Sequence, residues 1–229
     1  FNSLRLAGAF AIRPRELPPD RMPEAQLPVY TVMAALYREG RSVARLLGAL
    51  AALDYPPEKL DIKLLLEADD HETQAALARL DCPANVEILL VPPSGPRTKP
   101  KALNAGLPFV RGDFVAVFDA EDTPEPSQLR AALDAFRRHG DDIACMQASL
   151  CIDNSADSWL TCMFTAEYAG QFDGFLRGFS QFGLPLPLGG SSNHFKTGIL
   201  REVGGWDAYN VTEDADLGFR LARFGYRAA

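Results

Sequence analysis

The chain has 229 residues, 47% of them hydrophobic and 23% charged, with a formal net charge of -7 at pH 7. That length buries one substantial core and fits a single α/β domain. The acidic balance excludes nucleic acid as the main partner, because no basic field is present to neutralise a run of phosphates.

Residues 1–27 are expected to form an arm or linker, with prolines at 18, 19 and 23 enforcing an extended lead-in. The pattern then alternates. Val29 to Met33 is a short β-prone run, and Ser42 to Leu53 an amphipathic helix with Ser42 at its cap. Ile62 to Leu66 predicts a second strand, Glu72 to Leu80 a second helix, and Val86 to Val91 a third strand. A helix over Pro100 to Phe109, a strand over Asp113 to Asp119, a helix over Pro126 to His139 and a strand over Ile143 to Ser149 follow. Strands and helices at this spacing imply βαβ units and a mostly parallel sheet covered on both faces. Ligands bind such sheets beyond the carboxyl ends of the strands.

The second half is less regular. Between Ser158 and Phe182, aromatic residues at 159, 164, 168, 172, 175, 179 and 182 fall close to one helical face. Two readings stand: an ordinary core stripe, or a helix lying against a membrane-embedded partner. No apolar run in these residues is long enough to span a bilayer, and none of them is expected to act as a signal peptide. Cys82, Cys145, Cys151 and Cys162 lack CxxC spacing and read as thiols in a reducing compartment. The first residue is Phe1, not Met, and the last α/β unit is unfinished at Ala229, so the chain is expected to be a piece of a longer protein.

Polar clusters fall where the strands end. The fourth strand runs into Asp119, Ala120, Glu121 and Asp122. Adjacent carboxylates repel and are costly to desolvate unless a cation lies between them, and hard divalent ions favour one or two carboxylates plus substrate phosphates. The bland alternative is an acidic turn capping the next helix. Asp69 and Asp70 end the second strand, placed to hydrogen-bond a base or ribose, or simply to cap a helix. Lys99, Lys101 and Asn104 open a helix whose N-terminus attracts anions, and Arg97, Lys99 and Lys101 form a local basic cluster suited to a small phosphate ligand. Thr212, Glu213 and Asp214 begin another helix, where a carboxylate has the fixed orientation a general base needs. Gly189 and Gly190 allow close approach of backbone to a ligand, and His194 nearby is either structural or on the acceptor side.

The order and spacing of these clusters, from about Pro28 onward, resemble the family 2 glycosyltransferases of GT-A fold. The likeness is greatest to the processive, membrane-integrated branch that includes cellulose synthase. The resemblance implies that Tyr37 and Glu39 contact the nucleotide. It puts the uracil-binding aspartate at Asp69 or Asp70, with Asp70 preferred, and Lys99 and Asn104 near the diphosphate. Asp119 would lead a DxD metal motif holding Mg²⁺ or Mn²⁺ and touching the donor, with Glu121 or Asp122 as the second ligand. Asp214 of the Thr-Glu-Asp triplet would be the catalytic base, flanked by Glu213, with Thr212 and His194 toward the acceptor. A UDP-sugar donor, a glycan acceptor and transmembrane segments of the parent chain are the implied partners, at the cytoplasmic face of a bacterial inner membrane. The family's later Q-x-x-R-W element is not within these residues. A sugar nucleotidyltransferase is the rival α/β reading, but no glycine-rich signature surrounds Tyr37. A non-catalytic nucleotide- or polysaccharide-binding module is the other rival, and it would have no need of the base.

Overall fold

The computed structural model describes residues 22–229; of the arm expected over residues 1–27, residues 1–21 lie outside the described residues, and Glu24–Gln26 form a short 3-10 turn where an extended lead-in was expected. Strands β1 (Tyr30–Leu36), β2 (Leu60–Glu67), β3 (Val86–Val91) and β4 (Phe114–Phe118) alternate with helices α1 (Val43–Ala51), α2 (His71–Leu77) and α3 (Lys99–Gly106). Then come α4 (Gln128–His139), β5 (Ile143–Gln147), α5 (Trp159–Ala169), a π-helical turn (Gly170–Leu176) and α6 (Arg177–Gln181). Strand β6 (Asn193–Lys196), α7 (Thr197–Glu202), α8 (Glu213–Arg223) and the short β7 (Arg227–Ala228) complete the order.

One seven-stranded sheet runs β3-β2-β1-β4-β6-β5-β7. Its first half is parallel, with Tyr30 level with Leu60 on one side and Phe114 on the other. Strand β6 was not anticipated. It inserts between β4 and β5, antiparallel to both, so its first residue lies at the edge where β4 and β5 end. A four-residue strand reached through a glycine turn carries too little period-2 signal to be seen in sequence.

Period-2 alternation sorts the strand side chains between two helical layers. Tyr30, Val32, Ala34 and Leu36 pack with Leu46, Leu50, Leu77 and Leu129 of α1, α2 and α4. Met33, Leu65, Val115 and Val117 face Leu103, Phe195, Trp206, Leu217 and Leu221 on the opposite side. Each fully buried side chain of this size contributes about 1.5–3 kcal/mol. Three glycines fit these layers: a Cβ on Gly106 would stand 2.6 Å from Leu65 Cδ2 and one on Gly112 2.5 Å from the Thr31 nitrogen, while one on Gly218 would overlap the Leu186 carbonyl.

Strand β1 extends three residues past the expected Met33, because β2 holds Ala34, Ala35 and Leu36 in register and β4 pairs as far as Ala34. Ser42 and Thr212 occupy N-cap positions, yet neither side chain caps its helix; the Thr212 hydroxyl and N–H both donate to Asn210 Oδ1. The aromatic stretch divides. Ser158 caps α5 through a reciprocal bond pair with Thr161, and no residue of α5 is buried, whereas Phe172, Phe175 and Leu176 of the π turn enter the core. The core-stripe reading holds from Tyr168, which packs against Phe172, through Phe179. Trp159, Leu160, Met163 and Phe164 are exposed.

Candidate functional site

The carboxyl ends of β1, β2 and β4 meet the start of β6 and the start of α8 at one edge of the sheet, and the polar clusters gather there in two groups. The first lies beyond β1 and β2. Tyr37 follows β1 on a loop whose next residue, Arg38, has φ 60, a left-handed conformation costly for a side-chain-bearing residue. That turn is held by Asp70, whose Oδ2 accepts the Arg38 N–H at 2.6 Å while its Oδ1 accepts the Thr73 N–H at the start of α2. Asp70 is buried, and despite its desolvation those donors draw its pKa below the usual carboxylate value. Both its oxygens are therefore engaged by the backbone, and Asp69 is the aspartate left outward. Asp69 is half exposed and pairs with Arg97. Arg97 also donates to the Tyr37 hydroxyl at 3.1 Å and lies over its ring, 5.9 Å from the centroid. Tyr37, Asp69 and Arg97 thus form one wall. Glu39 stands beside it, tied by its N–H to the Thr73 hydroxyl.

The second group lies beyond β4. Lys99 Nζ donates to Asp119 Oδ1 at 2.5 Å and to the Gly190 carbonyl, bridging the end of β4 and the glycine turn. Asp122 folds back: its Oδ2 accepts the Asp119 N–H at 2.7 Å and the Ser191 hydroxyl. Glu121 on the same turn is exposed. The turn from Gly189 to Ser192 is lashed down by Gln147 and Asn193 and includes Ser192 at φ 55, a second left-handed residue at the same edge. Asp214, in the first turn of α8, is only 7% exposed and accepts the Trp206 indole N–H at 3.2 Å. Burial raises its pKa from 3.8 to about 6; Lys99 and Trp206 draw it down, while Glu213 and Asp119 push it up. A carboxylate so poised ionises just below neutrality and is basic enough to take a proton there.

The basic cluster does not act as a unit. Lys101 is committed to Glu67 at the end of β2, Arg97 to the wall, and only Lys99 reaches Asp119. Two expected site residues are held by other parts of the chain. His194 is 1% exposed, hydrogen-bonded to the Tyr30 hydroxyl at 2.7 Å and to Gln128, and its desolvation lowers its pKa to about 3. It is a neutral core residue, turned to the α4 face by the alternation of β6. Asn104 engages its amide with the backbone of Trp206, accepting its N–H at 2.9 Å and donating to its carbonyl at 2.6 Å. Gln147 went unnoticed in sequence, and Ser191, Ser192 and Trp206 were legible there only as members of the GGSSNHF and REVGGW runs that precede Thr-Glu-Asp.

Among the described residues no three His, Cys, Asp or Glu side chains form a ready-made metal cluster. The all-oxygen pair of Asp119 and Glu121 nonetheless fits a hard divalent ion, which takes one or two carboxylates and completes its shell with water and substrate phosphate.

A family model described as glycosyltransferase-like family 2 matches residues 28–229. The chain belongs to this glycosyltransferase family. Among curated relatives, the domain is 26% identical over 215 residues to a beta-monoglucosyldiacylglycerol synthase of Trichormus variabilis, covering 93% of this chain and 45% of that protein. It is 26% identical over 220 residues to glucomannan 4-beta-mannosyltransferase 1 of Oryza sativa subsp. japonica, covering 91% of this chain and 42% of the relative. The chain thus spans less than half the length of these relatives. Among solved structures, the mannosyltransferase PcManGT of Pyrobaculum calidifontis, in complex with GDP-Man and Mn²⁺, superposes with a TM-score of 0.74 at 23% identity, covering 99% of this chain and 60% of that one. S. aureus TarS 1-349 in complex with UDP-GlcNAc superposes at 0.54 and 16% identity, over 84% of this chain and 52% of that one. These likenesses establish the GT-A fold of the glycosyltransferase domain.

Proposed function

We propose that this domain transfers a sugar, with inversion, from a nucleotide-diphosphate donor to a glycan or other sugar acceptor, with Asp214 as general base. The observation that carries the reading is the buried Asp214 at the start of α8, beside Lys99 and Asp119 at the ligand-binding edge of the sheet. Tyr37 and Asp69, with Arg97, receive the base and ribose, and Glu39 supports that side. Lys99 turns its ammonium toward the diphosphate. Asp119 and Glu121 are the residues that would hold Mg²⁺ or Mn²⁺, while Asp122 shapes their turn. When bound, the ion neutralises charge on the departing nucleoside diphosphate. Asp214 accepts the proton of the attacking hydroxyl, a contribution of about 10²–10⁴-fold. Glu213 adds negative charge that keeps this base strong. Attack opposite the leaving group turns an α-linked donor into a β-linked product, in keeping with the β linkages in the relatives' names. Thr212 lies on the exposed acceptor side of the same turn.

A UDP-sugar is the proposed donor, with a GDP-sugar as the alternative suggested by the mannosyltransferase complex. We further place the domain at the cytoplasmic face of a bacterial inner membrane, with transmembrane segments of a longer chain as its neighbours. The exposed apolar residues of α5 are consistent with such a neighbour, although no helix among the described residues is long and apolar enough to cross a membrane itself.

Calorimetric titration with UDP and with GDP, with and without Mn²⁺, tests the donor half. Metal-dependent binding that disappears in Asp119→Ala is expected; metal-independent binding unaffected by that change overturns it. For the base, Asp214→Asn in the longer protein should abolish transfer while leaving nucleotide binding intact. Transfer at the wild-type rate refutes the assignment.

A further inference from the structure

Asn104, a residue expected near the diphosphate, grips the main chain of Trp206 from both sides. This grip requires its surroundings. A Cβ on Gly205, which has φ +67, would overlap Asn104 Oδ1, so the approach is open only to glycine. The same loop is held from the other direction by Arg220, on the helix that carries Asp214, which donates to the carbonyls of Gly205 at 2.8 Å and Val203 at 3.2 Å. The Trp206 indole is 2% exposed and meets Phe195 of β6 edge to face, with centroids 5.8 Å apart and planes at 88°. Held on three sides, the indole has one polar atom, and that atom donates to Asp214 Oδ1. An indole nitrogen only donates, so its partner must present a lone pair.

We infer that Asn104 and Trp206 are positioning residues for the general base: Asn104 fixes the Trp206 main chain, and the indole N–H holds one oxygen of Asp214 so that the other is aimed at the acceptor hydroxyl. This rests on the assignment of Asp214 as base. The grip couples α3, which supplies Lys99 to the donor side, with α8, which supplies the base. Donor and acceptor halves of the site are thereby registered through one loop. Any buried indole N–H needs an acceptor; what bears on the base is that the acceptor here is the carboxylate of Asp214 and not a backbone carbonyl.

The chain has two tryptophans, so the test is readable by ¹⁵N-indole NMR of the protein as it stands. Exposed Trp159 gives the solvent-exchanging signal and Trp206 the protected one. Asp214→Asn and Asn104→Ala should each shift the protected indole resonance and leave that of Trp159 in place. A Trp206 resonance indifferent to both changes overturns the inference, whatever their effect on activity. In the longer, transfer-competent protein, Trp206→Phe keeps the ring and loses the N–H. It should lower kcat about 10–100-fold with donor KM unchanged, and Asn104→Ala should do the same, the pair together costing no more than the larger single effect. Asn104→Asp, which retains the acceptor for the Trp206 N–H, should lose less than Asn104→Ala. A rise in KM with kcat intact would refute positioning of the base. If Asp214→Asn itself leaves transfer unimpaired, it is the general-base assignment that fails, a different outcome from an unresponsive indole.

Discussion

Asp214→Asn should make the protein more stable at neutral pH while removing its base. The folded-state pKa is raised from 3.8 to about 6 because the carboxyl is buried. Across that window the folded state binds more protons than the unfolded one. Stability is therefore fully present below about pH 4, falls as pH rises toward 6, and levels off above. A displacement of about two units corresponds to about 3 kcal/mol of native-state strain carried by the ionised form at pH 8. Asn is nearly isosteric, does not titrate, and keeps an oxygen for the Trp206 N–H. The variant should therefore match the wild type near pH 4 and exceed it by up to about 3 kcal/mol at pH 8, or roughly 6–12 °C in Tm for a chain of this size. Differential scanning calorimetry at pH 4, 5, 6 and 8 measures the gap. A gap that stays constant across that range, or a variant less stable than wild type only at pH 8, would refute the claim that burial raises this carboxyl.

Two further outcomes are expected. Asp70→Ala should cost about 1–2 kcal/mol in urea unfolding, since it orphans the backbone donors of Arg38 and Thr73, whereas Asp69→Ala should leave stability within about 0.5 kcal/mol and weaken calorimetric UDP binding; the opposite pattern would restore Asp70 as the base reader. Gly218→Ala should destabilise by about 3 kcal/mol or more, because its Cβ would overlap the Leu186 carbonyl beneath α8; a variant that melts within about 2 °C of wild type would show that this helix can shift.

The parallel half of the fold was legible because each element carries its own periodicity. Leu64 and Leu66 alternate with Lys63 and Leu65 on a strand, and α4 spaces Leu129, Ala132, Leu133 and Phe136 along one helical face. The family was legible too, since Asp119 and Asp214 stand at strand and helix ends whatever surrounds them. What each polar residue does there was not. Asp69 and Asp70 are adjacent and chemically identical, and only the approach of the Arg38 turn commits Asp70 to the backbone and leaves Asp69 outward. His194 lies one residue from Asn193, and the side of β6 it faces decides between core and site. Asn104 and Trp206 are 102 positions apart, so no local pattern hints that one holds the other. Periodicity and strand-end chemistry are written within a few residues and survive in the sequence alone. Burial, hydrogen-bond partners and the pKa of Asp214 depend on segments brought together from across the chain, and only the tertiary structure supplies them.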